Sequence, residues 1–435
     1  MLQSLKRYIF PFAALLLCFS CSKGDDYITP PSVTISNPFQ NQIFGYGDTI
    51  FIKASISHFR AIESVKVSLL NKAFSPVVPV LNYSVNVLDY QINTYFVLED
   101  INLVDGEYFI QIKVSDKQSS WNEWADIRIT EVLRELKSVI AVVANAEIIN
   151  AFEVFETSSN AASSKLYGFS GDHLGSEVNS KYNLHFTAGR IFNDLIAWDI
   201  NKKVANWSVP AIVNPPQDWF CGLYADDKDV FVSTRDGFIV GYDRFGKVSF
   251  RSLQFQNGEF THFISHQNML IAVFEPYNSQ FQELVVFNYP GGTVLRRLQI
   301  SGKVKHLSVY NSGSVLVFTD QATKPAVFEF TIENSTFVKL KDFVFDNCDI
   351  VIGSGKDHYF ISSGNEIWWY RPQTGSATLY TAVQEPGSIA FDELNNQLYV
   401  ASGSAISYHR LPFSQALGNI EMPGRVVGIN LRYNR

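Results

Sequence analysis

The sequence predicts an all-β fold, and three observations carry this prediction. Apolar and polar residues alternate in short runs along the whole chain, which is the period of a half-buried strand. Aromatic residues make up 14% of the 435 residues, with 35 Phe and 20 Tyr, and aromatic residues favour strands. Gly, Asn, Asp and Ser separate the runs, and no long segment follows the helical period. Short strands joined by tight turns are therefore expected throughout.

The first 20 residues have the pattern of an export signal. Lys6 and Arg7 precede an apolar run at Tyr8–Phe19 that a single proline interrupts. A basic start followed by about 7–15 apolar residues is typical of a secretory signal peptide. The run is shorter than the roughly 20 residues that a membrane-spanning helix needs. We therefore expect residues 1–20 to be removed on export.

Cys21 follows this signal directly. Phe19-Ser20-Cys21 resembles the end of a bacterial lipobox, in which a small residue precedes the lipidated cysteine. The next five residues, Ser-Lys-Gly-Asp-Asp, resemble the acidic tract of surface lipoproteins in Bacteroidetes-type bacteria. A redox pair of Cys18 with Cys21 would need a folded thioredoxin-like unit around it. The resemblance implies lipidation at Cys21, a tether over residues 21–31, and an outer-membrane location at the cell surface, with a periplasmic orientation as the alternative.

Length and charge narrow the class of protein further. The signal contains two of the 35 basic residues and none of the 42 acidic ones, so the 415 residues that remain carry a formal charge of −9. A chain of this length exceeds one ordinary core, and two or more domains are expected. An acidic chain without a basic run argues against a nucleic-acid partner. Cys221 and Cys348 either pair in a disulfide, which a surface location permits, or remain as buried thiols.

Residues 32–132 predict the first domain, a two-sheet sandwich. Apolar residues alternate in four runs: Ile50, Ile52, Ala54 and Ile56; Val65, Val67 and Leu69; Tyr108, Ile110, Ile112 and Val114; Trp124, Ile127 and Ile129. Such runs, separated by Gly-Asp and Asp-Gly turns over about 100 residues, are typical of a sandwich. The segments GYGDTIFIKASIS and LVDGEYFIQIKVSDK resemble bacterial immunoglobulin-like domains, which implies a spacer. Asp48-Thr49-Ile50 also resembles the acceptor of Bacteroidetes O-glycosylation, with Thr49 as the acceptor residue.

Residues 133–435 contain a repeat. A strand that ends in an aromatic residue recurs, and the aligned aromatics are Phe169, Trp198, Tyr242, Phe287, Phe330, Tyr370 and Tyr408. A unit of about 40–45 residues with four short strands is typical of a β-propeller blade. Seven markers favour seven blades, with six or eight as alternatives. The first interval, of 29 residues, indicates either a short second blade or a different register there.

The repeat also predicts how the blades are built. The third blade is expected to contain the strands CGLYADD, DVFVSTRD, FIVGYDRFG and VSFRSLQF, and the final PGRVVGINLRY to complete the first blade begun near Ser138. Three blades resemble the degenerate repeat of PQQ-like and WD40-like propellers. The matching residues are Ala197, Asp199 and Trp207; Asp243, Gly246, Lys247 and Phe250; Thr374 and Gly375. Lys202-Lys203 replaces the Thr-Gly of the family. The resemblance implies docking between blades and not quinone chemistry.

The sequence offers no catalytic constellation. His262 and His266 lie four apart on a predicted strand, where their Cα atoms would be about 13 Å apart, too far for a shared metal. No Gly-x-Ser-x-Gly elbow occurs. The calcium cluster and adjacent cysteine pair of quinoprotein dehydrogenases are not recognisable either. We therefore expect no catalytic residue, metal or cofactor.

Loops on one face of the predicted ring carry the candidate ligand-binding residues. Connections from an outer strand to the next inner strand emerge on the same face as those from a second to a third strand. The loop 211–221, of the first kind, holds Trp219, and the segment 275–283, of the second kind, holds Tyr277. Arg235 belongs to the same set. Exposed aromatics beside a planar polar group suit a sugar or a protein hot spot.

Together these features predict an outer-membrane lipoprotein with an immunoglobulin-like stalk and a propeller head. It is expected to bind a glycan or a partner outer-membrane protein through the channel-mouth face. The layout is similar to surface glycan-binding lipoproteins of Bacteroidetes uptake systems, and to the periplasmic propeller lipoprotein that assists outer-membrane protein assembly. A propeller hydrolase or lyase acting on polysaccharide is the alternative.

Overall fold

The computed structural model describes residues 29–155, 162–212, 218–354 and 357–435. Within these ranges the chain is almost entirely strand, with one 3₁₀ turn at Pro372–Thr374 and no α-helix. The described residues accordingly include no helix with the length and apolarity to cross a bilayer. The chain divides into two compact units, of which the first ends at Leu133 and the second begins at Arg134. The predicted signal peptide, Cys21 and most of the tether lie outside the described residues.

The described part of the N-terminal unit, residues 29–133, contains six strands. They are β1 (Ser32–Asn37), β2 (Gln42–Phe44), β3 (Thr49–Leu70), β4 (Leu81–Val97), β5 (Gly106–Ser115) and β6 (Ser120–Ile129). The strand order is β1-β3-β5-β6-β2, with β4 on the other side of β3 and with β2 parallel to β6. Hydrogen bonds thus connect all six strands into one sheet.

A bend in the hairpin of β3 and β4 divides this sheet into two layers. The pairing of β3 with β4 breaks at a bulge between Ser57 and Ile62. Beyond the bend, the hydroxyl of Tyr83 donates to Thr94 Oγ1 at 2.9 Å, although both residues lie on β4 and are eleven positions apart. An extended strand would separate them by roughly 35 Å. The two halves of the hairpin therefore face each other across the core, with β1 beside one half and β5, β6 and β2 beyond the other.

The alternating faces predicted for this unit are buried with one exception. The predicted apolar residues of β3 and β5 are at most 3% exposed and form a single core. Trp124 was predicted to point inward on β6, and this is wrong: it is 37% exposed, because Ala125 occupies the inward position in phase with Ile127 and Ile129. Trp124 instead contacts Phe74 and Phe109 on the outer face.

The C-terminal unit is built from four-stranded sheets, each of which we call a blade. Blade 1 begins with β7 (Leu136–Asn145), β8 (Ile148–Phe155) and β9 (Ala162–Ser170). Blade 2 contains β10 (Gly175–Asn179), β11 (Leu184–Ala188), β12 (Leu195–Asp199) and β13 (Val204–Val209). Blade 3 contains β14 (Phe220–Ala225), β15 (Asp229–Thr234), β16 (Phe238–Asp243) and β17 (Val248–Arg251), as the sequence predicted.

Four more blades follow with the same antiparallel order. Blade 4 contains β18 (Gly258–His266), β19 (Met269–Pro276), β20 (Phe281–Asn288) and β21 (Val294–Ser301). Blade 5 contains β22 (Lys303–Asn311), β23 (Ser314–Asp320), β24 (Ala326–Thr331) and β25 (Thr336–Asp342). Blade 6 contains β26 (Ile350–Ser354), β27 (His358–Ser363), β28 (Glu366–Arg371) and β29 (Ser376–Ala382). Blade 7 contains β30 (Pro386–Asp392), β31 (Gln397–Ser402), β32 (Ala405–Arg410) and β33 (Ala416–Glu421).

The last strand closes the ring. β34 (Arg425–Tyr433) pairs antiparallel with β7 and becomes the innermost strand of blade 1. The innermost strands then contact one another in a closed cycle, β10, β14, β18, β22, β26, β30 and β34. This topology is a seven-bladed β-propeller, and it confirms the predicted completion of the first blade by the final segment.

Buried polar groups reinforce the closure. Arg432 on β34 donates to Glu153 Oε1 on β8 at 2.7 Å, and both side chains are almost fully buried. Its other terminal nitrogen donates to the side-chain oxygens of Asn183 and Asn201 in blade 2, each at 2.6 Å. Ser138 donates to the same Glu153 oxygen at 2.6 Å. One guanidinium thus links the end of the chain to blades 1 and 2.

The structure corrects the register of the first repeat. Phe169 lies on β9, the outermost strand of blade 1, and not on a third strand like the other six markers. The third strand is β8, and Phe152 there follows the same bulge that precedes Trp198 on β12. The short first interval therefore came from a misplaced marker, and blade 2 has its full four strands.

The PQQ-like residues dock neighbouring blades, as the resemblance implied. The ring of Trp207, on the outermost strand of blade 2, covers Gly246 in the β16–β17 turn, and its Nε1 donates to the carbonyl of Arg244 at 3.1 Å. Asp243 Oδ1 accepts from two backbone amides of that turn. Lys203, at the family's glycine position in blade 2, keeps the left-handed conformation with φ +59°. The turn in blade 2 thus keeps its geometry although a lysine replaces the usual glycine.

Replacing Gly246 by Ala should destabilise the protein more than replacing Gly375, which is at the corresponding turn of blade 6. Both glycines have positive φ, which costs an L-residue about 1–2 kcal/mol. At Gly246 the new Cβ would also lie 2.9 Å from the Trp207 ring, whereas at Gly375 it would meet nothing within 4 Å. Urea unfolding of both variants measures the difference. Equal losses would contradict the docking of Trp207 on this turn.

Candidate functional site

The three predicted ligand-binding residues lie on one face of the ring. Trp219 precedes β14 in the connection from blade 2 to blade 3, Arg235 lies between β15 and β16, and Tyr277 lies between β19 and β20. Because strands within a blade alternate in direction, these connections emerge at the same end of the strands. We call this the upper face. The turn between β16 and β17 lies on the opposite, lower face.

Backbone hydrogen bonds fix the position of Trp219. Its amide donates to the carbonyl of Arg190 at 2.7 Å, and its carbonyl accepts from the amide of Arg235 at 2.8 Å. The carboxylate of Asp172 holds the Arg190 loop by accepting from three consecutive backbone amides, those of Arg190, Ile191 and Phe192. Trp219 is therefore part of an ordered loop network that spans two blades.

Trp219 is half-buried, and not fully exposed as the loop assignment implied. Its indole packs against the apolar cluster between blades 2 and 3. The side chain is also partly exposed to solvent. Its replacement should therefore lower the stability of the fold.

Arg235 and Tyr277 form a pair beside Trp219. The Arg235 guanidinium carbon lies 5.5 Å from the centre of the Tyr277 ring, in the geometry of a cation–π contact. The Tyr277 hydroxyl donates to the Arg235 carbonyl at 3.3 Å. Tyr277 is 47% exposed, so the pair presents an aromatic face and a guanidinium to solvent.

A groove of about 290 Å³ lies next to this pair, between blades 2 and 3. Its walls are Val209, Pro210, Ile212, Trp219, Phe220, Thr234, Asp236, Phe238, Val240, Tyr242 and Arg251. Trp219 lines the groove, whereas Arg235 and Tyr277 do not. The third and outermost strands supply five lining residues, whereas the innermost strands supply only Phe220. The groove therefore lies outward from the channel mouth on which the sequence prediction centred.

Gly237 shapes one side of the groove. It has φ +83°, and a Cβ there would lie 1.7 Å from the carbonyl oxygen of Phe255. Its carbonyl accepts from the Phe255 amide at 2.9 Å. Only glycine permits this approach, which holds the turn carrying Arg235 and Asp236 against the start of blade 4.

Cys221 and Cys348 are both free and buried. The thiol of Cys221 donates to Glu259 Oε2 at 3.3 Å. Burial, followed by the charge of Glu259, raises the pKa of this thiol. Burial likewise raises the pKa of Cys348. The disulfide that the sequence left open is not formed, and both thiols stay protonated at neutral pH.

Sequence reasoning missed Asp236, Phe238 and Arg251. Asp236 lies in the same Arg-Asp-Gly turn as Arg235, and Phe238 follows that turn directly. Arg251 lies 16 positions after Arg235, at the end of β17. Arg251 lies 4.2 Å from the centre of the Phe238 ring. The pairing of β16 with β17 brings it there, opposite Val240. The residue-by-residue pairing of β16 with β17, if derived from the sequence, would have identified Arg251 as a neighbour of this turn.

The inner strands carry several titratable groups away from this groove. His262 on β18 and His306 on β22 are partly buried, and the loss of solvation lowers the pKa of each to about 4. His266 shares β18 with His262, as predicted. Among the residues that the structure describes, no set of three or more His, Cys, Asp or Glu side chains could hold a metal ion.

Glu177 on β10 is the notable carboxyl group of the ring interior. It has no hydrogen bond or ion pair within the described ranges, and protein surrounds it although water still reaches the side chain. Burial raises its pKa to about 8. The carboxyl group is therefore largely protonated at neutral pH.

Replacing Glu177 by Gln should stabilise the protein increasingly as pH rises. The unfolded chain releases this proton near pH 4.5, whereas the folded protein holds it to about pH 8. Between these values the folded state binds more protons, so rising pH destabilises the wild type through this group. Urea unfolding of both proteins at pH 4.5, 6 and 8 measures the trend. A stability difference that does not change with pH would contradict it.

Comparison with known proteins gives similarity in structure only. No protein-family model matches the sequence, and no curated protein matches it either. A Dos1 propeller is similar at 11% identity, over 68% of this chain and 88% of that one, with a TM-score of 0.45. BamB from Moraxella catarrhalis is similar at 11% identity, over 68% and 93%, with a TM-score of 0.42. A quinonprotein alcohol dehydrogenase-like protein from Bacteroides thetaiotaomicron is similar at 11% identity, over 93% and 99%, with a TM-score of 0.45. These similarities concern the fold alone.

Proposed function

We propose that this propeller is a non-catalytic glycan-binding protein that uses the groove between blades 2 and 3. The observation that carries the proposal is the position of Trp219 in that groove. Two hydrogen bonds hold the Trp219 main chain in place. Its indole lies among apolar walls, with Asp236 and Arg251 at the rim. Concave sites with a mainly apolar lining and a few placed polar groups are typical of small-ligand binding.

The groove chemistry fits a sugar ring. A sugar has an apolar face of C–H groups and an edge of hydroxyls. An aromatic side chain such as Trp219 offers a flat apolar surface for the first, with little rotamer entropy to lose. Asp236, which is exposed at the rim, offers carboxylate oxygen atoms for the second. The remaining lining, including Pro210 and Ile212, excludes water from the ring face.

A protein partner at the outer membrane is the second candidate, and a separate observation favours it. The pair of Arg235 and Tyr277 stands outside the groove and is open to solvent. Arg and Tyr are enriched at hot spots of protein interfaces. The two candidates therefore use different side chains on the same face.

The N-terminal unit and the lipid anchor complete the proposal. We infer that the six-stranded unit is an immunoglobulin-like spacer, supported by its bent two-layer core, and that the protein is an outer-membrane lipoprotein attached through Cys21 and facing outward. Thr49 begins β3 and is partly exposed, so an O-linked glycan could be accommodated there.

Replacing Trp219 by Ala should weaken glycan binding by about 30-fold or more. Loss of an aromatic hot spot costs about 2 kcal/mol of binding free energy, which corresponds to that factor. A glycan array identifies a ligand for the wild type, and calorimetric titration then compares the variant. Because Trp219 is half-buried, thermal melts must first show that the variant is folded at the assay temperature.

Two control variants make this experiment specific. Phe245 is 64% exposed in the turn between β16 and β17 on the lower face, and Phe245→Ala should bind as the wild type does. Tyr277→Ala should spare glycan binding and weaken a protein partner instead. Unchanged glycan affinity in folded Trp219→Ala would contradict the proposed site.

Replacing Cys21 by Ala should abolish lipid attachment and release the protein from the membrane fraction. The thiol is the acceptor of the lipid, and the acyl chains hold the protein through about 0.8 kcal/mol per buried CH₂ group. Labelling of cells with radioactive palmitate measures attachment, and fractionation measures location.

Cys18→Ala is the matched control because Cys18 belongs to the predicted signal. This variant should keep the label. Label retained in Cys21→Ala would refute the anchor. Protease added to intact cells tests orientation: cleavage of the mature chain supports the outward-facing arrangement, and protection until lysis places the protein in the periplasm.

A further inference from the structure

Two guanidinium groups on the upper face have no carboxylate partner in the described part of the chain. Arg251 stacks on Phe238 at 4.2 Å, and Arg235 stacks on Tyr277 at 5.5 Å. Arg190 on the same face is different, because its Nη1 pairs with Asp218 Oδ2 at 3.0 Å. Stacking on an aromatic ring fixes the guanidinium plane while leaving its N–H groups free.

Arg251 belongs to the groove itself. It lines the wall together with Trp219, Phe238 and Tyr242. Burial raises the pKa of Tyr242, and the charge of Arg251 partly opposes that rise, so the charge is felt at the groove wall. A guanidinium with free donors beside an aromatic ring is suited to hold a carboxylate with two parallel hydrogen bonds.

The second charged residue that lines the groove is Asp236, and its negative charge complements Arg251. The hydroxyl of Thr234 donates to Asp236 Oδ1, which leaves Oδ2 free to accept from a ligand. A ligand for this groove therefore needs a hydroxyl donor near Asp236, an apolar face near Trp219 and a carboxylate near Arg251. A uronic-acid ring carries all three groups on one small frame.

The negative net charge of the chain helps to interpret the positive charge of Arg251 in the groove. With a mature charge of −9, the molecule as a whole repels a polyanion. Screening limits that repulsion to about 8–10 Å at physiological salt, so contacts inside the groove act locally. Arg251 therefore favours an anionic group at this groove specifically, since the protein has no general basic surface.

We propose that the groove binds a uronic-acid residue of an acidic polysaccharide, with Arg251 on its carboxylate, Trp219 on its ring face and Asp236 on its hydroxyls. This inference rests on the proposed glycan-binding function and names the class of glycan. No covalent step is involved.

The test compares each acidic oligosaccharide with its own neutral form. Oligomers of galacturonate, glucuronate, mannuronate and guluronate are titrated alongside the same oligomers after reduction of the carboxyl group. The wild type should bind at least one acid form about tenfold or more tighter than its reduced form. Arg251→Gln should bind the two forms equally, because the amide cannot form the paired charged hydrogen bonds.

Matched control variants distinguish a specific loss of carboxylate recognition from a general loss of glycan binding. Arg244→Gln is the control, because Arg244 stacks on Phe245 at 4.5 Å on the lower face, and it should keep the wild-type preference. Trp219→Ala should weaken both forms. Arg251 is exposed, so thermal melts of Arg251→Gln should match the wild type.

Four results would overturn the inference. If the wild type binds acid and reduced forms equally and Trp219→Ala weakens both, the uronate assignment fails while the glycan-binding function stands. A preference that survives in Arg251→Gln places the carboxylate elsewhere. If a sulfated oligosaccharide without carboxyl groups binds as tightly as the acid form, the groove recognises anions in general. Failure of every glycan on a broad array overturns the proposed function as well.

Discussion

The pairing of β34 with β7 is the constraint on which the propeller depends. It turns an open row of sheets into a ring, so that every blade has a neighbour on both sides and blade 1 gains its innermost strand. Arg432 strengthens this seam through a buried ion pair with Glu153 and two further amide contacts in blade 2. Breaking such a pair leaves an uncompensated buried charge, which typically costs about 3–5 kcal/mol. The upper face inherits its geometry from the closed ring.

Much of the fold follows from the sequence because strand periodicity and turn chemistry are local properties. The alternation of Ile50, Ile52 and Ile56 predicted the inner face of β3, and the repeated aromatic strands predicted the propeller. The failures were also local. Trp124 was placed by its bulk and not by its phase with Ile127. Phe169 was matched by its flanking residues although it lies on an outermost strand. Aromatic size does not distinguish which strand or face a residue occupies.

The site was harder to predict because it is assembled across blades. Topology correctly grouped Trp219, Arg235 and Tyr277 on one face, since loop position depends only on strand order. The groove depends on packing between blades 2 and 3, and on a strand register that brings Arg251 beside Phe238. Neither Asp236 nor Arg251 belongs to a motif. Their joint role arises from distances that no spacing in the sequence encodes.

The seam also sets the order of events during biogenesis. Arg432 and Glu153 are 279 residues apart in the chain, and all six intervening blades lie between them. At a synthesis rate of about 5–20 residues per second, a ribosome needs roughly 15–60 s to make that interval. During this time blade 1 lacks its innermost strand and the ring cannot lock. The late synthesis of β34 therefore delays closure of the ring until the last strand of the propeller has been made.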